Sequence, residues 1–195
     1  MHVNLKEVSG PWTAGWVLDK HTLRSEFSGN NEWGHPTFNT IRTEIGEATF
    51  LLKNRADWTK VKPLAEALAN NIYPKLKDVG FIVPMPASTM RHRQPVTELA
   101  QALGAIVGKP VFEQLLLKAP SDVHLKDLNT KAEKLEAIGN GFSVHDKINN
   151  EGAWNVLLVD DLFHTGASME AACKALKTYP KVHNIYVAAL TWRPA

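Results

Sequence analysis

The chain has 195 residues, of which 44% are hydrophobic and 22% charged, with 22 Lys and Arg against 20 Asp and Glu. These proportions exclude bulk disorder, permit a core without metal or disulfide staples, and leave too small a cationic excess to argue for nucleic acid. Cys173 is the single cysteine, which excludes an intramolecular disulfide and a Cys-rich zinc site. Residues 1–10 lack an apolar leader, and no apolar run reaches 18 residues, so a cytoplasmic protein without a membrane segment is expected.

Residues 1–40 hold Trp12, Trp16 and Trp33 among glycines. The stretch Trp12–His21 reads as a short hairpin and Ser28–Pro36 as a loop, which predicts a small β-rich element ahead of the domain 41–195. From Thr40 the pattern turns helical: Ile41, Ile45, Ala48, Phe50, Leu51 and Leu52 build an apolar face. Pro63 suits the first turn of a second helix running toward Pro74. Phe81-Ile82-Val83 is a short buried strand closed by Pro84-Met85-Pro86, and residues 95–107 form a helix with Pro95 in its first turn.

Residues 110–145 are mixed and Lys-bearing, ending in Gly141-Phe142-Ser143-Val144. Val156-Leu157-Leu158-Val159 is a continuous apolar run, the mark of a parallel strand buried on both faces. Asp160-Asp161 end it, residues 164–168 turn, and Met169–Lys177 is helical. A last strand covers Ile185–Leu190. Strands alternating with helices imply an α/β fold with an open, mainly parallel sheet flanked by helices.

The strand–acid–acid–turn–helix unit at 156–177 carries the chemistry. Ligands of open α/β sheets bind beyond the carboxyl ends of the strands, where Asp160 and Asp161 must lie. Free amides at the following helix start favour an anion, Gly166 permits close backbone approach, and Thr165 and Ser168 add hydroxyls. Phosphate, a vicinal diol held by two carboxylates, and magnesium held through water suit a phosphorylated ribose. A receiver domain would need far more chain after the acids, and both the Walker loop and a complete G-x-G-x-x-G are missing.

Residues 156–168 (VLLVDDLFHTGAS) resemble the phosphoribosyl pyrophosphate (PRPP) signature of the type I phosphoribosyltransferases. Ile82–Ser88, Gln94 ahead of Glu98-Leu99-Ala100, and Gly141–Val144 are most similar to the ComF/GntX-like group, whose Lys-Tyr pair falls at Lys53-Asn54 here. Many members open with a four-cysteine zinc module, which this chain lacks.

The resemblance implies that Asp160 and Asp161 are catalytic, holding the ribose hydroxyls and, through water or substrate, Mg2+. It implies that His164, Thr165, Gly166, Ala167 and Ser168 bind the 5′-phosphate. The loop bearing Ala87 and Ser88, with Arg91 and Arg93, would approach the pyrophosphate, since guanidinium matches phosphate oxygens bidentately. The implied reaction transfers phosphoribose from PRPP to a nucleobase-like acceptor. The alternative is a non-catalytic PRPP or nucleotide sensor serving a partner in DNA uptake or repair. A homodimer is the usual assembly; direct nucleic-acid binding is the weakest of the readings.

Several features also have plainer explanations. Arg91-His92-Arg93 reads as well as a solvated loop, Lys131 and Lys134 as surface charges, and Cys173 as a core thiol on the stripe with Met169. No histidine pair shows metal-ligand spacing, so no zinc is expected.

Overall fold

The computed structural model describes residues 1–119 and 141–194. Its elements are β1 (Lys6–Glu7), β2 (Ala14–Lys20), β3 (Thr22–Asn30), β4 (Pro36–Arg42), α1 (Glu44–Arg55), α2 (Val61–Asn71), β5 (Val79–Pro84), α3 (Pro95–Val107), β6 (Leu116–Lys118), β7 (Phe142–Val144), β8 (Trp154–Phe163), α4 (Ala167–Leu176) and β9 (Val182–Trp192). Single 3₁₀ turns at Trp58–Lys60 and Tyr73–Lys75 flank α2.

The central sheet has the order β1-β2-β9-β8-β5. β2, β9, β8 and β5 run parallel, and β1 closes the edge antiparallel to β2. The expected α/β fold with a mainly parallel sheet is therefore the one observed. Alternation along β8 sorts the core into two layers. Val156 and Leu158 pack with α4 through Ala172 and Leu176, whereas Leu157 and Val159 pack with α1, α2 and α3 through Ile45, Leu64 and Leu99. A strand apolar at every position needs cover on both sides, and this one has it.

Two sequence expectations need correction. Trp12–His21 is not a hairpin: β2 is one strand, hydrogen-bonded in parallel register to β9 from Ala14↔Tyr186 to Lys20↔Trp192. Its Val17 and Leu18 are fully buried on opposite faces, which a hairpin outside the core would not achieve. The helical face does not begin at Ile41 either. Residues 36–42 form β4, paired with β3 in a separate antiparallel ribbon, and α1 starts only after the Thr43 cap, whose Oγ1 accepts from the Gly46 amide at 2.9 Å. Residue 40, where a domain boundary was expected, thus falls inside β4. Among the described residues no helix is long and apolar enough to cross a membrane.

Candidate functional site

β8 outlasts β5. Their pairing ends at Pro84↔Val159, and the Met85 amide donates to the Val159 carbonyl at 2.8 Å before the chain turns away. β8 continues beside β9 as far as Phe163↔Trp192. Asp160 and Asp161 are therefore strand residues, not the strand's end, and they border a gap that β5 has vacated. The gap is a cavity of about 410 Å³. Its wall includes both aspartates, Lys53 of α1, Ala87, Ser88 and Arg91 of the loop after β5, Lys118 of β6 and Ser168 of α4.

The period of two turns the aspartates to opposite faces, and each meets a lysine from its own side. Asp161 continues the Leu157–Val159 row toward α1, and Lys53 Nζ lies 2.7 Å from its Oδ2. Asp160 continues the Val156–Leu158 row toward β6, where Lys118 donates to Ser88 Oγ at 2.8 Å. Burial and the neighbouring Asp161 push Asp160 up to about 7, against the opposing pull of its bond from the Asp161 amide, Lys53 and Lys118. Lys118 is shifted down, chiefly by desolvation, with Asp160 opposing.

Behind Asp161 runs a buried polar chain. Thr191 Oγ1 donates to the Asp161 carbonyl at 3.0 Å and lies 3.0 Å from His21 Nδ1. With the hydroxyl proton spent on that carbonyl, Nδ1 of His21 must be the N–H partner, and the ring is neutral. Burial first, then Arg193 and Arg42, lower His21 to about 4.

Gly166 precedes α4 with φ 81, a left-handed value that favours glycine, and a Cβ there would come within 3.0 Å of the Phe163 ring. Gly166 has no side chain to cap α4; Thr165 Oγ1 accepts from the Ala167 amide at 3.4 Å, and Ser168 of the same first turn lies on the cavity wall. Of the five residues expected at a phosphate, Ser168 lies on the cavity wall; His164, Thr165, Gly166 and Ala167 form the adjoining turn and helix start.

The structure separates the two loop arginines. Arg91 lines the cavity and donates to the Lys53 carbonyl at 2.7 Å. Arg93 is absent from the wall: its Nε and Nη2 donate to the two Glu98 oxygens at 3.0 and 2.7 Å, and its guanidinium lies 4.1 Å from the Trp58 ring centre. Lys131 and Lys134 lie outside the described residues. Lys118 escaped sequence reasoning altogether. It reaches the site because β6 pairs with β7, Lys118 against Phe142, across a long intervening segment. Cys173 is fully buried, and burial pushes its thiol up to about 12.

No family model and no curated protein matches the chain. Solved structures do. Adenine phosphoribosyltransferase of Trypanosoma brucei, in complex with AMP, pyrophosphate and ribose-5-phosphate, superposes with a TM-score of 0.51 at 12% identity, over 98% of this chain and 76% of that one. The Leishmania tarentolae adenine phosphoribosyltransferase gives 0.49 at 8% identity, over 97% and 95%. Leishmania donovani UMP synthase gives 0.43 at 12% identity over 87% of this chain, which spans only 29% of that chain's length. The parallel sheet, the order of its elements and the first of these superpositions together identify the fold as that of the type I phosphoribosyltransferases.

Proposed function

We propose that the chain is a phosphoribosyltransferase that binds PRPP with Mg2+ and transfers phosphoribose to a nucleobase-like acceptor, in the manner of the ComF-like group. The observation that carries this reading is the cavity beside β8 where β5 has ended, with two strand carboxylates and the start of α4 at Ser168 on a wall that also bears Lys53, Arg91 and Lys118. Carboxylates bind sugar hydroxyls, free amides with Ser168 bind a terminal phosphate, and the cations meet a second anionic group.

In the reaction the bond from the anomeric carbon to the pyrophosphate oxygen breaks, and pyrophosphate leaves with the electron pair. An acceptor nitrogen bonds to the carbon and releases its proton. Asp160 and Asp161 lie where positive charge grows on the sugar, while Arg91 and Lys118 lie where negative charge grows on the leaving group. Asp160 and Asp161 border one cavity from opposite faces of β8, and Asp161 is paired with Lys53, so they would hold Mg2+ through water or substrate oxygens, which the ion keeps readily. Held there, the ion would neutralise charge on the pyrophosphate.

The test is calorimetric titration of PRPP with Mg2+ into the wild type and into Asp160→Asn/Asp161→Asn. The wild type is expected to bind and the folded variant to lose binding. A panel of nucleobases then reads pyrophosphate release. Failure of the folded wild type to bind overturns the proposal; binding without release across the panel replaces transfer with sensing.

A further inference from the structure

His21 and Thr191 are 6% and 0% exposed, and neither lines the cavity, so a ligand there does not reach them. Burying an imidazole and a hydroxyl costs free energy that an apolar pair of similar shape would not. What the polar pair supplies is direction. The one proton of the Thr191 hydroxyl goes to the Asp161 carbonyl at 3.0 Å, and His21 Nδ1 stands 3.0 Å from the same hydroxyl oxygen. A hydroxyl rotates about its C–O bond; with an N–H donor behind it, its proton has one place to go.

The carbonyl held in this way belongs to the least supported stretch of β8. β5 ends at Pro84↔Val159, so from Asp160 onward β8 has a partner on one edge only among the described strands. Side chains pin Asp161 on both sides of its Cα: its amide donates to Asp160 Oδ1 at 2.8 Å, and its carbonyl accepts from Thr191. With both flanking peptides fixed, its Cβ has one direction, and its carboxylate meets Lys53 at 2.7 Å. A second path closes on the same histidine. α1, which carries Lys53, is seated with Gly46 against the His21 carbonyl oxygen, and the His21 amide donates to the Trp192 carbonyl at 2.8 Å. Two holds on Asp161 therefore meet at His21, one on the backbone through Thr191 and one on the carboxylate through α1 and Lys53. We propose that His21 is a positioning residue: acting through Thr191, it fixes the Asp161 backbone and with it the direction in which the paired carboxylates enter the cavity. The consequence for ligand binding rests on the PRPP reading of the cavity; the consequence for geometry does not.

Paired substitutions at residue 191 separate direction from packing. Thr191→Val keeps the branched shape and removes the hydroxyl; Thr191→Ser keeps the hydroxyl and removes the methyl. In calorimetric titrations with PRPP and Mg2+, Thr191→Val is expected to weaken binding about tenfold or more and Thr191→Ser to stay within about twofold. A packing role predicts the reverse order, and that order, or equal binding by the two variants, overturns the proposal. His21→Leu should lose affinity as Thr191→Val does, and His21→Asn, which keeps a donor, should restore it; an unaffected His21→Leu is equally fatal. Should Thr191→Val fail to fold, the wild-type 15N spectrum of the His21 ring decides. At pH 7 the proton is expected on Nδ1, whereas a proton on Nε2 turns the Thr191 hydroxyl toward the ring and overturns the proposal. Should the wild type bind no PRPP, the proposed function falls and crystal structures of the two Thr191 variants decide the positioning role. Asp161 is expected to leave Lys53 in Thr191→Val and to keep it in Thr191→Ser; an Asp161 unmoved in both refutes it.

Discussion

Arg91 and Arg93 stand two positions apart, yet the structure gives them different work. Arg93 is held by two bonds to the Glu98 carboxylate and by the Trp58 ring, off the cavity wall, so its charge is already paired away from the site. Arg91 makes one bond, to a backbone carbonyl, and keeps further N–H groups for an anion in the cavity. With inorganic pyrophosphate and Mg2+ as the calorimetric probe, Arg91→Ala should weaken binding about tenfold or more, the loss expected for a charge-assisted bond. Arg93→Ala should leave it within about twofold. Equal losses in the two variants would show that the Glu98 clamp opens on binding. Cys173 gives a second residue-level expectation. A fully buried thiol pushed up to about 12 has neither access nor thiolate, so a disulfide reagent should label it only as fast as the protein opens. Labelling that is fast in the folded protein would contradict the packing of α4.

At the scale of elements, α1 matters because it delivers Lys53, and its seat depends on Gly46. A Cβ there would collide with the backbone carbonyl oxygen of His21, which no side-chain rotation can relieve. Helix propensity alone favours Gly46→Ala by up to about 1 kcal/mol, whereas a backbone clash costs about 1–3 kcal/mol or more. The clash should win, lowering the thermal midpoint by several degrees and moving Lys53 off Asp161. A raised midpoint would mean that α1 docks more loosely than it does here. Elements written in local pattern were legible: β5, α3, β8 and β9 follow from apolar runs and from Pro84, Pro95 and the aspartates. β2 was obscured because glycines and tryptophans near Gly15 mimic turn chemistry, while its burial comes from β9, far along the chain. The ribbon was obscured because Ile41 and Ile45 share a helical spacing by coincidence, although Thr43 caps the helix between them. In the site, the aspartates and the turn after them were readable from one contiguous segment. The Asp161–Lys53 pair and the approach of Lys118 were not, since no local signal records which strand edge a distant lysine will reach.

Across the whole molecule, two buried groups set opposing responses to pH. Asp160 titrates near 7 in the fold and near 3.8 in its ordinary state, so between those values the folded chain holds a proton that the unfolded chain has lost. Its contribution to stability therefore falls as pH rises through that window. His21 is lowered to about 4 from 6.5, so between those values the unfolded chain holds the extra proton, and stability is lost as pH falls. In the overlap the two slopes oppose each other, and the wild-type midpoint, measured without Mg2+, should vary little. Removing either group exposes the other. Asp160→Asn should be more stable than wild type near pH 8 and lose stability steadily as acid is added below about 6.5. His21→Asn, which keeps a donor for Thr191 but does not titrate, should gain stability as pH falls from about 7 toward 4. Thermal unfolding across this range separates the two slopes, and curves parallel to wild type in both variants would remove the assignment. The groups also share a wire, from His21 through Thr191 to the carbonyl of Asp161, next in sequence to Asp160. The double variant should then depart from additivity by about half a kcal/mol or more, because a site built on one strand end cannot relax at one charge without shifting the other.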